Sequence, residues 1–313
     1  MSHPGRIVIL SDLHLSTPGR GAGSAEALRP LWRGASELIL NGDVAEIAHH
    51  QLRVPAARQV VRLLQLAEED GVKVTFLSGN HDPLLTDRRY LRLAQREVFV
   101  THGDILHPAI SPWTDHAKAL QRFHADAILS LDPAKAREMD HQLAACQHAS
   151  VQQWEYETRH AHDPAEAQPR RRSVWHHPRL RKLNRHAARA SMMAKALYYW
   201  YTIPRRAMGF AQRFAPESRF FVFGHIHRAG IWVDRSAAAP KGGRVIINTG
   251  AYQTPRNPRA VVLEGHRLSV HRVIYDQTGH RLGDAPLKRY DLRHAAVPAS
   301  VDRLDDEPAR RAA

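Results

Sequence analysis

The sequence predicts an α/β layered fold interrupted by a helical insertion, and three observations predict it. From Arg6 to about Asp104 short apolar runs alternate with helical stretches, the strand-helix-strand order of a layered sheet. From about Ser111 to Ala215 the apolar spacing turns helical, and glycine is absent until Gly209. From Ser218 onward short strands separated by turn signals return.

The elements follow in order. Ile7–Leu10, Leu38–Leu40, Val72–Leu77 and Val98–Val100 read as buried strands, being short, apolar and β-branched. Val54–Glu69 is predicted to be a helix, with Val60, Val61, Leu64 and Leu66 on one side. The Gly-rich loop Thr17–Ser24, which contains Pro18, is expected to move. At least three helices fill the insertion, with a break from His162 to Pro169. Strands are predicted at Arg219–Phe223, Gly230–Asp234, Arg244–Asn248, Ala260–Leu263 and Leu268–Val273, with Lys241-Gly242-Gly243 and Glu264-Gly265 as turns. The core is thus expected over residues 1–110 and 216–293, and the insertion over 111–215. The tail, 294–313, is rich in Ala, Pro, Arg and Asp and is expected to be disordered.

Composition narrows the function classes. The chain has 313 residues, of which 43% are hydrophobic, enough for a sizeable core. Lys plus Arg is 45 against 31 Asp plus Glu, a formal charge of +14. That excess points to anionic company: nucleic acid, a phosphorylated substrate or acidic lipid. The single cysteine, Cys146, excludes an intramolecular disulfide framework and a zinc cage of several thiolates, and reads as a packing residue. The start carries no signal-peptide pattern. The longest apolar stretch, Met192 to Ile203, is broken by Lys195 and too short for a bilayer. The expectation is a cytoplasmic protein, soluble or peripheral at the inner membrane face.

Chemistry collects at strand ends. Ser11-Asp12-Leu13-His14, Asn41-Gly42-Asp43, Ser78-Gly79-Asn80-His81-Asp82, Thr101-His102-Gly103-Asp104 and Gly224-His225-Ile226-His227 each follow an apolar run. Loops at carboxyl ends of strands converge in open α/β sheets. Carboxylate, imidazole and amide oxygen suit a pair of hard or borderline divalent ions. Residues i and i+2 of an extended segment point the same way, so Asp12 with His14, and His225 with His227, can each reach one site. Glycines before Asp43, Asn80 and His225 allow tight turns. Asp43 is the carboxylate best placed to bridge two ions, and ions about 3.5–4 Å apart can clamp a phosphoryl oxygen and activate water. Glu46 reads equally well as a helix cap. His49, His50 and His107 lie near these motifs but are read as non-ligands in a chain with 22 histidines.

This ordered series resembles the calcineurin-like metallophosphoesterase superfamily: D-x-H, G-D, G-N-H-[DE], H and G-H-x-H, over residues 6–104 and 219–275. The resemblance implies a four-layer metallophosphoesterase β-sandwich flanked by helices, with the helical insertion as a cap. It implies one ion held by Asp12, His14, Asp43 and His227, and a second by Asp43, Asn80, His102 and His225. It makes His81 the histidine over the metals that stabilises the phosphoryl group and protonates the leaving oxygen, with Asp82 orienting its ring. Asn248–Tyr252 resembles the segment that closes the site wall. Manganese is the first expectation for the two metals, and iron, zinc or cobalt also suit the ligands.

The insertion carries most of the charge excess. Residues 167–215 hold 12 basic residues and no acidic one. Arg181, Arg185 and Arg189 recur every fourth residue, on one face of a predicted helix, and are expected to contact substrate. The aromatic run Tyr198–Tyr201 beside them suits an anionic membrane surface or, second, single-stranded nucleic acid; a solvated basic face is the plain alternative. The insertion, together with Gly42-Asp43-Val44-Ala45-Glu46, is similar to the UDP-2,3-diacylglucosamine pyrophosphohydrolases, whose cap holds acyl chains. His81, where that group carries Arg, and Ile105–Pro108 depart from it. The function expected is a metal-dependent hydrolase of a phosphoester or pyrophosphate bond in an anionic, lipid- or nucleotide-linked substrate. The alternatives are a nuclease or cyclic-nucleotide phosphodiesterase and, in another class, a non-catalytic scaffold.

Overall fold

Alternation along the first strand sorts its residues into two cores. In the computed structural model, β1 (Arg6–Leu10) turns Val8 and Leu10 toward helices and Ile7 and Ile9 toward a second sheet, as the two-residue period of a strand requires. The structure describes residues 5–17, 19, 21–160, 178–253 and 257–296, without the side chains of 160, 178–191 and 296.

The remaining elements are α1 (Ala25–Trp32), β2 (Glu37–Asn41), α2 (Arg53–Glu69), β3 (Lys73–Leu77), β4 (Tyr90–Leu93), β5 (Val98–Thr101), α3 (Ala117–Leu129), α4 (Met139–His160), α5 (Pro178–Phe214), β6 (Phe220–Phe223), β7 (Gly230–Asp234), β8 (Arg244–Asn248), β9 (Arg259–Asp276), β10 (Gly279–Leu282) and β11 (Lys288–Ala296). One sheet runs β10-β9-β1-β2-β3, with β11 also paired to β9; the other runs β4-β5-β6-β8-β7. β1, β2 and β3 are parallel, as are β5, β6 and β8.

Three apolar cores make this a four-layer α/β sandwich. Ile7, Ile9, Ile39 and Leu77 meet Val98, Val100, Val222 and Ile247 between the sheets. Leu28, Leu31 and Trp32 of α1 and Val60 and Leu63 of α2 cover the outer face of the first sheet. Tyr199, Ile203, Ala207 and Ala211 of α5 cover Phe99, Phe221 and Phe223 of the second. At about 25 cal/mol per Å² of apolar surface, such burial is the main favourable contribution to folding.

Several expectations need correction. The buried residues of α2 are Ala56, Val60, Leu63, Leu66 and Ala67, so Val60 and Leu66 face the core as expected, whereas Val61 is 54% and Leu64 40% exposed. The Glu264-Gly265 turn does not break the chain: β9 runs through it, with Gly265 at φ 54° absorbing the bend. β11 continues through Ala296, past the expected core boundary at 293, because its residues pair with β9. Residues 297–313, where the rest of the disordered tail was expected, lie outside the described residues, as do Pro18 of the Gly-rich loop and the break from 162 to 169. Arg181, Arg185 and Arg189 fall within α5, but their side chains are outside the described set.

Helices α3, α4 and α5 lie between β5 and β6 in the chain. Ile110, Leu120, Cys146 and Ala149 form a small core of their own there. Burial beside Asp104 pushes the Cys146 thiol well above its ordinary pKa, and its Sγ donates to Asp104 Oδ2 at 3.4 Å, so it is a packing residue. Among the described residues no helix is long and apolar enough to cross a membrane.

Candidate metal centre

The parallel strands point their carboxyl ends at one place, and backbone hydrogen bonds lace the loops that leave them. Asp12 N donates to Gly42 O at 3.1 Å, His14 N to Asp43 O at 3.0 Å, Gly224 N to His102 O at 2.8 Å and Tyr252 N to Asp12 O at 3.2 Å. Asp12, His14, Asp43, His225 and His227 all have positive φ, between 47° and 68°. Non-glycine residues held there are strained, and such strain gathers at functional sites. Gly79 and Gly224 are glycines for a different reason. A Cβ on Gly79 would overlap the Asp43 carboxylate, and one on Gly224 the Asp12 carboxylate.

Among the described residues ligand-type atoms gather in three clusters: Glu46 ties His14 and His81 into one by hydrogen bonds, and the remaining two share a carboxylate. Asp12, His14, Asp43 and His227 form one of these two, and Asp43, His102 and His225 the other, each with its atoms within 4.8 Å of one another. Asp43 belongs to both. Its Oδ2 is 3.9 Å from His14 Nε2 and 3.4 Å from His102 Nε2. His14 Nε2 and His227 Nε2 approach to 3.0 Å, and His227 Nε2 lies 3.5 Å from Asp12 Oδ1.

The outer nitrogens of these rings are fixed by acceptors. His102 Nδ1 donates to Asn41 O at 2.9 Å, His225 Nε2 to Ile110 O at 3.0 Å, and His14 Nδ1 to Glu46 Oε1 at 2.9 Å. Each leaves the ring's other nitrogen facing the cluster, the arrangement that orients imidazole ligands. Among the described residues, His102 Nε2, His225 Nδ1 and Asn80 Oδ1 are buried without a hydrogen-bond partner. Buried polar atoms are normally satisfied, so these three, aimed from a mixed nitrogen and oxygen set, fit divalent cations.

Electrostatics agree with the geometry at His225 and His227, whereas at His102 burial favours the neutral ring but Asp43 prevails and raises its pKa to about 10. Burial, then the neighbouring His102, lowers the pKa of His225 to about 4, and burial with His14 holds that of His227 well below its ordinary value. Both rings are therefore neutral, as metal ligands must be. Burial alone would raise Asp43, but His102, His81 and His14 more than offset it and hold it well below the ordinary carboxylate value. Asp12 is pushed up to about 6, chiefly by burial.

His81 sits above these clusters with 29% of its side chain exposed. Its Nδ1 donates to Glu46 Oε2 at 2.7 Å, and its backbone N donates to Asp43 Oδ1 at 2.8 Å. Burial favours the neutral ring, yet Glu46 and Asp43 prevail and raise its pKa to about 10. The expected role of Asp82 needs correction. Its carboxylate accepts from the backbone N of Gly79, Asp43 and Val44 at 2.7, 3.1 and 2.6 Å. It pins two loops together, and Glu46 is the carboxylate on the His81 ring. Glu46 also accepts from Thr17 Oγ1 at 3.0 Å. No periodicity marked Glu46 as more than a cap; only its place three residues after Asp43 hinted at it.

The two imidazoles donate to different oxygens of Glu46, so glutamine at position 46 would set its NH2 against one of these N–H groups. Glu46→Gln is therefore expected to lower divalent-metal affinity and kcat/KM by roughly 10–100-fold each, read by calorimetric titration and initial rates. Unchanged values would reduce Glu46 to a loop cap.

Around this centre, Asn248 Nδ2 donates to Gly224 O at 2.5 Å, so the 248–252 segment braces the loop after β6. Trp154 of α4 donates Nε1–H to Asn80 O at 2.7 Å and sets its ring 5.5 Å from that of His81; nothing in the sequence signalled it. His49, His50 and His107 fall in none of the ligand clusters among the described residues. A groove of about 1100 Å³ opens beside Trp154 between α2 and α4, lined by Ile47, Val54, Val61, Pro83 and Leu84, with Arg53 and Arg58 along it.

A family model described as calcineurin-like phosphoesterase matches residues 5–229. No curated protein sequence matches the chain. Among solved structures, a dimetal phosphatase from Danio rerio is similar at 12% identity, covering 86% of this chain and 96% of its own, with a TM-score of 0.40. Vacuolar protein sorting 29 from Cryptosporidium parvum is similar at 11% identity, covering 93% of this chain and 100% of its own, with a TM-score of 0.37. A cold-active protein-tyrosine phosphatase of a psychrophilic Shewanella species is similar at 14% identity, covering 89% and 80%, with a TM-score of 0.35.

Proposed function

The chain belongs to the calcineurin-like phosphoesterase family, and on that premise we propose that it is a two-metal hydrolase of a phosphoester or pyrophosphate bond in an amphipathic, lipid-linked substrate. The observation that carries the catalytic part is the sharing of Asp43 between two clusters of ligand atoms. Asp12, His14, Asp43 and His227 would hold one ion, and Asp43, Asn80, His102 and His225 the other, with manganese the first choice. Bound there, divalent ions would polarise the phosphoryl group and make water a nucleophile near neutral pH.

The chain's own residues supply the rest. The Glu46 carboxylate fixes the His81 ring through Nδ1 and favours its protonated form. Nε2 is then the nitrogen that gives a proton to the leaving oxygen. Asp43 Oδ1, by accepting the His81 backbone N–H, ties that acid to the shared carboxylate. Asp82 holds the loops after β2 and β3 in register through three backbone N–H groups.

The groove supports the lipid-linked choice over the nucleotide-linked one. Its volume of about 1100 Å³ is just above the usual range of small-molecule sites, and apolar side chains line it beside Trp154, whose ring contacts that of His81. Val61 and Leu84, exposed at 54% and 74%, would be covered by an apolar chain. A peripheral position at an anionic membrane surface accords with such a substrate.

Hydrolysis of a chromogenic phosphodiester is expected to require added divalent metal and to stop on chelation. Val61→Glu with Leu84→Glu is expected to raise KM for a long-chain phosphodiester by about tenfold or more and to leave the small chromogenic substrate unaffected. Absence of any metal-dependent hydrolysis would favour the scaffold reading. Preference for oligonucleotides with a steep salt dependence would favour a nuclease.

A further inference from the structure

We propose that the helical insertion carries a second anion site, separate from the metal clusters, that binds a phosphate group. A pocket of about 250 Å³ lies between α3 and α5, lined by Lys118, Gln121, Lys195, Tyr199 and Arg206 among others, and no acidic residue lines it. Lys118 and Lys195 are exposed at its mouth and have no ion-pair partner among the described residues. Cations gathered without a counter-charge repel one another, and an anion between them relieves that repulsion.

The floor of the pocket is unsatisfied in the same sense. Tyr199 is 2% exposed, and among the described residues its hydroxyl has no hydrogen-bond partner; nor does the buried Nε of Arg206. The one hydrogen bond of the Arg206 guanidinium among the described residues is a long one, from Nη1 to Leu106 O at 3.5 Å. The residues lining this one cavity carry a hydroxyl, a guanidinium and two ammonium groups, donors suited to a tetrahedral oxyanion. The volume falls below the range of about 300–1,000 Å³ typical of sites for drug-sized ligands. A single charged group fits, and a nucleotide or an acyl chain does not.

The pocket is separated from the metal clusters by Trp113. That ring stands 5.3 Å from Tyr199 on one side and 5.4 Å from His225 on the other. The anion site does not depend on hydrolysis at the metal centre, so it stands or falls by itself.

The test is calorimetric titration of the full chain with inorganic phosphate and with glycerol phosphate. Lys118→Gln combined with Lys195→Gln replaces two exposed side chains, and Tyr199→Phe removes only the buried hydroxyl. Each change is expected to weaken phosphate binding, the double variant by about tenfold or more, while metal-dependent hydrolysis of the chromogenic phosphodiester is retained. Tighter binding of glycerol phosphate than of phosphate would support the site with a phosphomonoester as its occupant; equal binding would support it with free phosphate. Unchanged phosphate binding in both variants would overturn the proposal. Parallel loss of hydrolysis and binding would overturn the separateness of the site.

Discussion

Asp43→Ala is expected to abolish metal-dependent hydrolysis and to remove both metal-binding events from a calorimetric titration. Asp43 is the only residue common to the two clusters: its Oδ2 lies within 3.9 Å of both His14 and His102, while its Oδ1 receives the His81 backbone N–H. Losing a group that merely supports a ligand costs roughly 10–100-fold; losing the shared carboxylate should exceed that. Asp43→Asn separates chemistry from folding. It keeps an acceptor for the His81 N–H but not the negative charge, so it should be inactive with a thermal midpoint close to that of the parent. Hydrolysis undiminished in both variants would end the two-metal reading.

Arg89→Met is expected to destabilise the fold by about 3–5 kcal/mol, the usual cost of stranding one member of a buried ion pair. For a chain of this size that is a fall of roughly 10 °C in melting temperature. Arg89 is 6% exposed and Asp104 fully buried. Nη2 of Arg89 donates to Asp104 Oδ2 at 2.6 Å, and Nη1 to Ser78 Oγ at 3.0 Å. Without it, the only hydrogen-bond donor left to the Asp104 carboxylate among the described residues is the Cys146 thiol. The pH dependence has a definite sign. Burial would raise Asp104, but Arg89 prevails and holds it below its ordinary value, so in the parent its contribution is present above about pH 4 and lost below. In Arg89→Met the unpaired carboxyl rises above its unfolded value, and protonation relieves it. The gap between the two proteins should therefore narrow as pH falls from 7 toward 4. Arg89→Met combined with Asp104→Leu should recover most of the loss. A gap that widened in acid would mean that the pair is not what holds these loops.

Much of this architecture was legible because strand ends carry their own marks. Each motif stood after an apolar run, and a carboxylate or imidazole beside a glycine is a recognisable departure from core composition. Roles that depend on distance in space were not legible. Glu46 reads as a cap until two imidazoles 32 and 35 residues away in the chain turn out to donate to it. Asp82 reads as the partner of the histidine beside it, yet backbone N–H groups across the site claim it. Val61 and Leu63 are equally apolar, and only the direction of the sheet decides which one is buried. The glycine at position 265 has the composition of a turn, but pairing on both sides of it outweighs local preference. The phosphate pocket and the groove beside Trp154 exist only where helices meet, and no single segment announces either.

The left-handed backbone at Asp12, His14, Asp43, His225 and His227 has a consequence for how this protein would respond to selection. Each such residue costs of order 1–3 kcal/mol, and glycine or asparagine would relieve it. A screen that rewarded heat resistance and ignored hydrolysis would therefore edit these five positions early, gaining robustness by dismantling the centre. A chain that keeps aspartate and histidine there carries a running expense that only use of the centre justifies.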